Sequence, residues 1–381
     1  MYGEESSRLV TPNVFGIYRY FLKFSPFNCG KGNPLRFLFV IFSLASFLSM
    51  IFRIYWLWWQ TEAKFFSFGW AERNLLAFIS FESFSCVIGL YRMTSMGSLP
   101  RFEEKLGQLK TMRINAINAT HDDYSPLWRK MLLLCGAIPV FFTGTAIYHL
   151  ANQMVIMDTP SKSSWYFYYD AGVMILCGYV NFLFLPIHVC LHSGMRREFA
   201  VFNEELQKAA ENKELTNPSI LRKFADRQVK LFEFTNFMTE RLDALMTNAP
   251  FLILTALVNA TFLVTFLNDK VPLLYFFCLL SLMISCILIA SYLMYPAAFV
   301  QDEMQKSARI LMSDPLLQHS SDPQIYSTYR MIVDRSLHNR SVNHVIRIFA
   351  VSTTNIERAF FVITQIVIIM SAFYSLLFPK N

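Results

Sequence analysis

Charge is scarce in this sequence. Only 16% of its 381 residues are Asp, Glu, Lys or Arg, where a soluble domain carries about 25%. Apolar residues fill 54% of positions and the mean hydropathy is +0.35, which excludes an ordinary water-soluble globule. Catalytic signatures are missing too. There is no glycine-rich phosphate loop and no nucleophile elbow, and the "HVCLH" run, with His188 and His192 around Cys190, has Val189 where a metalloprotease helix needs Glu. No enzyme activity, metal or cofactor is expected. Residues 1–36 are polar and the first apolar run is too long for a signal-peptide core, so no cleaved leader is expected.

What the sequence does have is long apolar runs. Seven reach the roughly 20 residues that a bilayer crossing needs, at 37–59, 73–92, 131–156, 165–191, 245–267, 272–299 and 357–379. The second carries Glu82 near its middle and the first carries Arg53. An ionisable residue at such depth is expensive, so Arg53 is expected either to reach outward or to pair with Glu82 or Asp170. No repeat relates one group of spans to another, which argues against a transporter of two inverted halves.

The basic residues alternate across these spans. The N-terminal segment, 93–130 with Arg92 at its edge, 192–244 and 300–356 hold five, seven, nine and six Lys or Arg. The alternate segments hold one each: Lys64, Lys162, Lys270 and Lys380. Basic loops stay in the cytosol, so the fold class expected is an all-α membrane protein of seven transmembrane helices, with a cytoplasmic N-terminus and an extracellular C-terminus. The net charge of +7 is explained by those loops, and nucleic acid is not an expected partner. "YWLWW" at 55–59 and "WYFYY" at 165–169 fall at one membrane surface, where Trp and Tyr concentrate. None of the seven cysteines lies in an external loop, so no extracellular disulfide is expected. The sequons at Asn118 and Asn339 fall on the cytosolic side, where they stay unmodified.

The resulting organisation is a cytoplasmic segment 1–36, helices one to six over 37–299 with helical cytoplasmic loops 93–130 and 192–244, a cytoplasmic helical segment 300–356, and helix seven with a short external end over 357–381. Within the second loop, Asn217-Pro218 breaks the chain and Ser219 is placed to cap the next helix. Leu221, Phe224, Leu231, Phe234, Met238, Leu242 and Leu245 then recur at helical spacing. Two arrangements fit: extensions of the spans packed into a base, with Phe224, Leu231 and Met238 at the core of an assembly, or amphipathic helices on the membrane surface. "FVQDEMQKSARILM" at 299–312 extends span six, and a helix with Ile325, Tyr329 and Ile332 on one face comes after it.

Short outer loops, a helical inner base and "NIERAFF" at 355–361 together resemble the insect chemoreceptor superfamily of odorant, gustatory and gustatory-receptor-like proteins. The gustatory signature of Thr-Tyr, five apolar residues and Gln-Phe is absent: Arg358 and Ala359 stand before Gln365, and Ile366 after it. A gustatory-receptor-like member fits better. The resemblance implies a ligand-gated cation channel, a homo- or heterotetramer in lipid with its last helix lining the pore, in the plasma membrane of sensory neurons. It also implies a small-molecule site in the outer half of the bundle. Two alternatives are a receptor that signals through cytosolic partners without its own pore, and a light or oxidant sensor.

The residues offer two candidate sites. Along span seven, Glu357, Phe361, Thr364, Ile368, Ser371, Ser375 and Phe378 recur at steps of three and four, one helical face with four polar members. That face either packs its small residues against spans four to six or faces water. The pore assignment implied by the resemblance takes Thr364, Gln365, Ile368, Ser371 and Ser375, with Ile368 the constriction. In the outer half, Tyr148, His149, Asn152, Tyr169, Asp170, Asn259, Thr261 and Tyr275 are the polar residues available to a ligand; each also fits an interhelical hydrogen bond.

Overall fold

The structure, a computed structural model, describes residues 13–59, 63–114, 122–152, 164–266, 271–338, 344–345, 349–350 and 352–377. Its helices are α1 (Ile17–Phe24), α2 (Arg36–Trp59), α3 (Phe68–Ser95), α4 (Ser98–Thr111), α5 (Ser125–Asn152), α6 (Ser164–Glu211), α7 (Pro218–Phe266), α8 (Leu273–Met312), α9 (Pro315–Gln318), α10 (Pro323–His338) and α11 (Thr353–Leu377). A 3-10 turn, Glu214–Thr216, joins α6 to α7. One element departs from an all-helical chain. Strands β1 (His344–Val345) and β2 (Phe349–Ala350) pair antiparallel inside what the sequence suggests is a helical segment. Asn118, Asn339, residues 153–156 and Phe378 lie outside the described residues.

Among the described residues seven helices are long and apolar enough to cross a membrane: α2, α3, α5, α6, α7 within Asn248–Phe266, α8 and α11. This is a multi-pass membrane protein. Pro139, Pro186, Pro250 and Pro296 all lie within helices, which neighbouring helices in a membrane bundle tolerate. α6 is the most buried span, at 78% of its most apolar stretch, and α3 comes next. α3 is the least apolar span and the one that carries Glu72, Ser80, Glu82 and Ser83; 67% of its most apolar stretch is buried, against 17% for α11. Polar groups cannot face hydrocarbon, so α3 is surrounded, chiefly by α7, α2 and α6.

The long helices α6, α7 and α8 run past the membrane as single rods and pack into a base with α4 and α10. The spacing of Leu221, Phe224, Leu231, Phe234 and Met238 is that of a buried face, and all five are buried. Phe224 meets Phe202 at 5.8 Å and Phe234 meets Phe102 at 4.9 Å. Of the two arrangements, the extended and packed base is the one formed. One expectation is corrected: Phe224, Leu231 and Met238 belong to the core of one chain rather than to a contact between chains. Ile325 and Ile332 of α10 join that core, and the Gln228 amide donates to Ser336 Oγ at 2.8 Å. The cap of α7 is also corrected. Asn217 Oδ1, not Ser219, accepts, taking both Ser219 N at 3.0 Å and Ser219 Oγ at 2.8 Å, with Pro218 as the first helical residue.

Two glycines are required by the backbone. Gly97, at φ +61, turns α3 into α4. Gly16, at φ +47, lies so close to the Trp128 ring that a Cβ would fall 2.3 Å from it. That contact, and the 2.7 Å bond from Trp128 Nε1 to Val14 O, fix α1 against α5. The α4–α5 connection is tied down by charge. Arg113 bridges Asp122 at 2.8 Å and Glu198 of α6 at 2.5 Å, while Lys110 and Arg197 reach Asp122 at 3.0 and 3.1 Å. Burial alone would raise the Asp122 pKa, but hydrogen bonds from Arg113 and Lys110 outweigh it and hold the carboxyl at about 2.

Candidate functional site

Five spans place polar side chains together at the end of the bundle away from the base. Arg53 comes from the last turns of α2, Glu72 and Ser80 from α3, Tyr148 and His149 from the last turn of α5, Asp170 from the start of α6, and Tyr275 from the start of α8. Arg53 is fully buried. Its Nε donates to Asp170 Oδ1 at 2.7 Å and its Nη1 to Ser80 Oγ at 3.0 Å. Of the expected alternatives Asp170 is therefore the partner; Arg53 neither reaches outward nor pairs with Glu82.

On the other side of Asp170, Oδ2 lies 3.8 Å from His149 Nδ1, too far for a hydrogen bond. The His149 ring sits 5.5 Å from the Tyr275 ring, which stacks on Tyr148 at 5.1 Å and whose hydroxyl bonds to Glu72. Four atoms of Arg53, Asp170 and His149 are buried with no hydrogen-bond partner among the described residues: Arg53 Nη2, Asp170 Oδ2, and both ring nitrogens of His149. Buried polar groups are nearly always satisfied, and each exception asks for an explanation. Here two donors or acceptors on His149, one donor and one carboxylate oxygen converge from three helices, beside a wall of Trp56, Tyr166, Tyr148 and Tyr275. Trp56 stacks on Tyr166 at 4.6 Å. An aromatic wall with a few convergent polar atoms is the chemistry that orients a small organic molecule.

Of the ligand residues expected from the sequence, the structure gathers Tyr148, His149, Asp170 and Tyr275. Tyr169 lies next to them with its hydroxyl on Ser49 O, and its ring meets Phe52 at 5.4 Å. Asn152 is exposed and bonds back to Tyr148 O at 2.9 Å. Asn259 and Thr261, on α7, bond to Thr255 O and Leu257 O of their own helix at 2.9 and 2.8 Å and contribute nothing to the cluster. Sequence reasoning missed Glu72, Ser80, Trp56 and Tyr166. Starting span two at 73 left Glu72 outside the membrane, although Ser67, which accepts from Trp70 N at 3.2 Å, marks the true helix start.

Glu82 is held apart from Arg53. Its carboxyl takes hydrogen bonds from three neutral groups, Asn181 Nδ2 at 2.9 Å, Cys86 Sγ at 3.0 Å and Ser83 Oγ at 3.2 Å. His188 and His192 are buried with ring centroids 4.2 Å apart, and His188 Nε2 donates to Leu293 O at 3.2 Å. All seven cysteines are free thiols. Among the described residues no group of three or more His, Cys, Asp or Glu is placed to hold a metal ion.

The second constellation is on α11. The helix meets α7 and α8 through Ile356, Ile363, Val367 and Met370. At 100° per residue, Thr364, Ile368, Ser371 and Ser375 fall about 100° around from that face, and Val362, Ile366 and Ile369 on the opposite flank. The packed face therefore lies between two uncovered flanks, the polar stripe on one side and the apolar residues on the other. Thr364, Ile368 and Ser375 are exposed and Ser371 is half-buried, so the stripe does not pack against the other spans. The hydroxyls of Thr364, Ser371 and Ser375 bond back to Phe360 O, Ile368 O and Ser371 O of their own helix. Gln365 is exposed as well, turned away from the packed face.

A family model described as "Caenorhabditis protein of unknown function, DUF267" matches residues 14–367. The fold is also that of a solved receptor. The insect olfactory receptor OR5 from Machilis hrabei superposes with a TM-score of 0.64 at 12% identity, over 89% of this chain and 90% of the receptor. The structure of that receptor in complex with eugenol gives 0.65 at 11% identity, over 93% and 98%. No curated protein sequence matches the chain significantly.

Proposed function

The chain belongs to this Caenorhabditis family, and from its receptor-like fold and its two polar constellations we propose that it is a chemoreceptor, a cation channel opened by a small organic molecule. It is gustatory-receptor-like, resides in the plasma membrane of sensory cells with its N-terminus in the cytosol, and assembles as a homo- or heterotetramer. The ligand binds at the Arg53–Asp170–His149 cluster. α11 lines the path for ions, with Thr364, Ser371 and Ser375 as polar layers and Ile368 as the constriction.

One observation carries this reading: the polar stripe of α11 is uncovered within one chain. A single helix in lipid gains nothing from Thr364, Ser371 and Ser375 on one flank, whereas a ring of copies brings those flanks to one axis and wets them. The cluster supports the ligand half of the reading. The neighbour's complex holds eugenol, a small aromatic molecule. Here, unpaired buried polar atoms stand beside aromatic rings and meet the same kind of ligand.

Voltage-clamp recording of cells expressing the full chain, with a panel of small aromatic and polar compounds, tests the reading. Currents that a compound evokes, and that the stable double variant Arg53→Met with Asp170→Leu loses, support it. Compound-dependent cytosolic signalling without current makes the protein a coupled receptor. Tags on both ends, stained before and after permeabilisation, test orientation separately. An N-terminal tag reached in intact cells would end the channel reading.

A further inference from the structure

Helix α1 has three faces. Tyr18 and Leu22 are buried; Arg19 and Lys23, four residues apart, form a basic stripe; and Ile17, Tyr20 and Phe24, at steps of three and four, form an apolar stripe that no described residue covers. Exposure along the last stripe rises from 41% at Ile17 through 62% at Tyr20 to 79% at Phe24. Water is a poor neighbour for that surface.

The position of α1 says what its neighbour is. Phe21 meets Phe182, within the apolar part of α6, at 5.6 Å. The loop after α1 is pinned to the base-side end of α3 by Thr94, whose hydroxyl donates to Phe27 O at 3.1 Å and accepts from Cys29 N at 3.3 Å. Cys29 Sγ lies 3.6 Å from Ser43 Oγ of α2. So α1 lies across the base-side ends of the spans, level with the first turns of α2, where Leu35, Phe37 and Leu38 are exposed too. Its apolar stripe continues the surface that α2 presents to lipid.

Beside the stripe is a concave site of about 350 Å³, between α1, the 25–35 loop and the α3–α4 corner. Arg19, Lys23 and Lys31 line it, with Gly30, Gly32 and Gly97 leaving backbone uncovered. Its carboxylate, Glu103, is engaged by Arg19 at 3.4 Å. Lys23 and Lys31 have no carboxylate within 4 Å among the described residues, and the Lys23 ammonium lies 5.9 Å from the Phe24 ring centroid. Two uncommitted ammonium groups at the headgroup level, next to aromatic and aliphatic side chains at acyl level, match a molecule that is anionic at one end and apolar at the other.

We propose that this corner binds an anionic phospholipid of the inner leaflet, with the headgroup phosphate on Lys23 and Lys31 and an acyl chain along Tyr20, Phe24 and the first turn of α2. The proposal rests on the cytosolic placement of the base; it does not depend on the pore or on the small-molecule site. Bound lipid would fix α1, and through Phe15–Phe102 and Trp128–Val14 the entries to α4 and α5.

The test uses the full chain purified in mild detergent, with dioleoyl phosphatidylserine or dioleoyl phosphatidylcholine added in equal amounts, and retained lipid counted by native mass spectrometry. Phosphatidylserine should be retained about tenfold over phosphatidylcholine. Lys23→Gln with Lys31→Gln should abolish that preference and Lys23→Arg with Lys31→Arg should keep it. Lys213→Gln with Lys306→Gln, the same loss of charge at the far end of the base, should leave it intact. Phe24→Ala should weaken retention with the charges in place. Because all of these side chains are exposed, the variants should keep the wild-type thermal midpoint without added lipid. Equal retention of the two lipids, or a preference that survives the Lys-to-Gln pair, overturns the proposal. So does glycerophosphoserine, a headgroup without chains, if it displaces phosphatidylserine at equal concentration, for the site would then be one for soluble anions. None of these readouts involves current or tag accessibility, so failure here is separable from failure of the channel reading.

Discussion

Arg53 of α2 and Asp170 of α6 form an ion pair inside the bundle, Nε to Oδ1 at 2.7 Å, with neither side chain more than 1% exposed. Removing one partner strands a charge that neither lipid nor the remaining side chains can solvate. Breaking such a pair costs about 3–5 kcal/mol, whereas replacing both partners with apolar residues is often close to neutral. Arg53→Met and Asp170→Leu should therefore each lower the thermal midpoint in detergent markedly, and the double variant should recover most of the loss. Additive losses would mean that the pair does not act as a unit. If the cluster is also the ligand site, the recovered double variant should be stable yet unresponsive, which separates the structural role of the pair from its recognition role.

At the base the same chemistry acts in reach of solvent, and pH can probe it. Asp122, held at about 2 against an ordinary 3.8 by Arg113 and Lys110 in spite of burial, has a depressed folded-state pKa. Such a group contributes stability that is fully present above its unfolded pKa and is lost as pH falls through its folded one. Asp122→Asn should be less stable than wild type at pH 7, and the difference should shrink as pH drops from about 4 toward 2. Unfolding midpoints of both proteins in detergent, measured across that range, check it. A gap that stayed constant down to pH 2 would show that Asp122 contributes through shape rather than charge.

The base separates residues that fold the chain from residues that are free to join chains. Leu231 is fully buried, so Leu231→Ala should cost about 2–5 kcal/mol, and Leu231→Asp should leave no folded protein on size-exclusion chromatography. Tyr326 and Met331 of α10 are large, apolar and exposed. Met331→Glu should leave the chain folded and shift it from a larger species to a smaller one. A folded Met331→Glu variant of unchanged size would place the contacts elsewhere.

Legibility in the sequence depends on which signals are local. Span count, the extensions of spans four to six beyond their apolar stretches and the buried face from Leu221 to Met238 all come from apolar length and period, and these survive into the structure because burying that face is what orders the helices. The site was half legible. Asp170 and His149 stand out as ionisable residues in apolar runs, but nothing local distinguishes them from Asn259 and Thr261, which turn out to satisfy themselves on their own helix. Which polar residues meet depends on helix rotation and on pairings over more than a hundred positions, as between Arg53 and Asp170. Glu72 was hidden by a boundary placed a few residues late, and α1 by its length, since eight residues carry too little periodicity to stand out from a polar segment.

The stripe on α11 gives the last prediction. Its packed face, Ile363, Val367 and Met370, is fixed against α7 and α8, so the rotation of the helix is fixed and the two free flanks have different neighbours. If copies meet around an axis along the polar flank, water reaches Thr364, Ile368 and Ser371, and the flank of Val362 and Ile369 stays in lipid. Cysteines at 364, 368 and 371 should then react with a charged thiol reagent and block current, and cysteines at 362 and 369 should not. Ile368→Ser should leak without ligand, because a hydrophobic constriction closes by excluding water and a hydroxyl admits it. Gln365 lies some 100° further from the packed face than Thr364, so reactivity at 365 but not at 364 would mean that the axis lies along the far side of the helix. Equal reactivity on both flanks, or none on either, would remove α11 from the pore altogether.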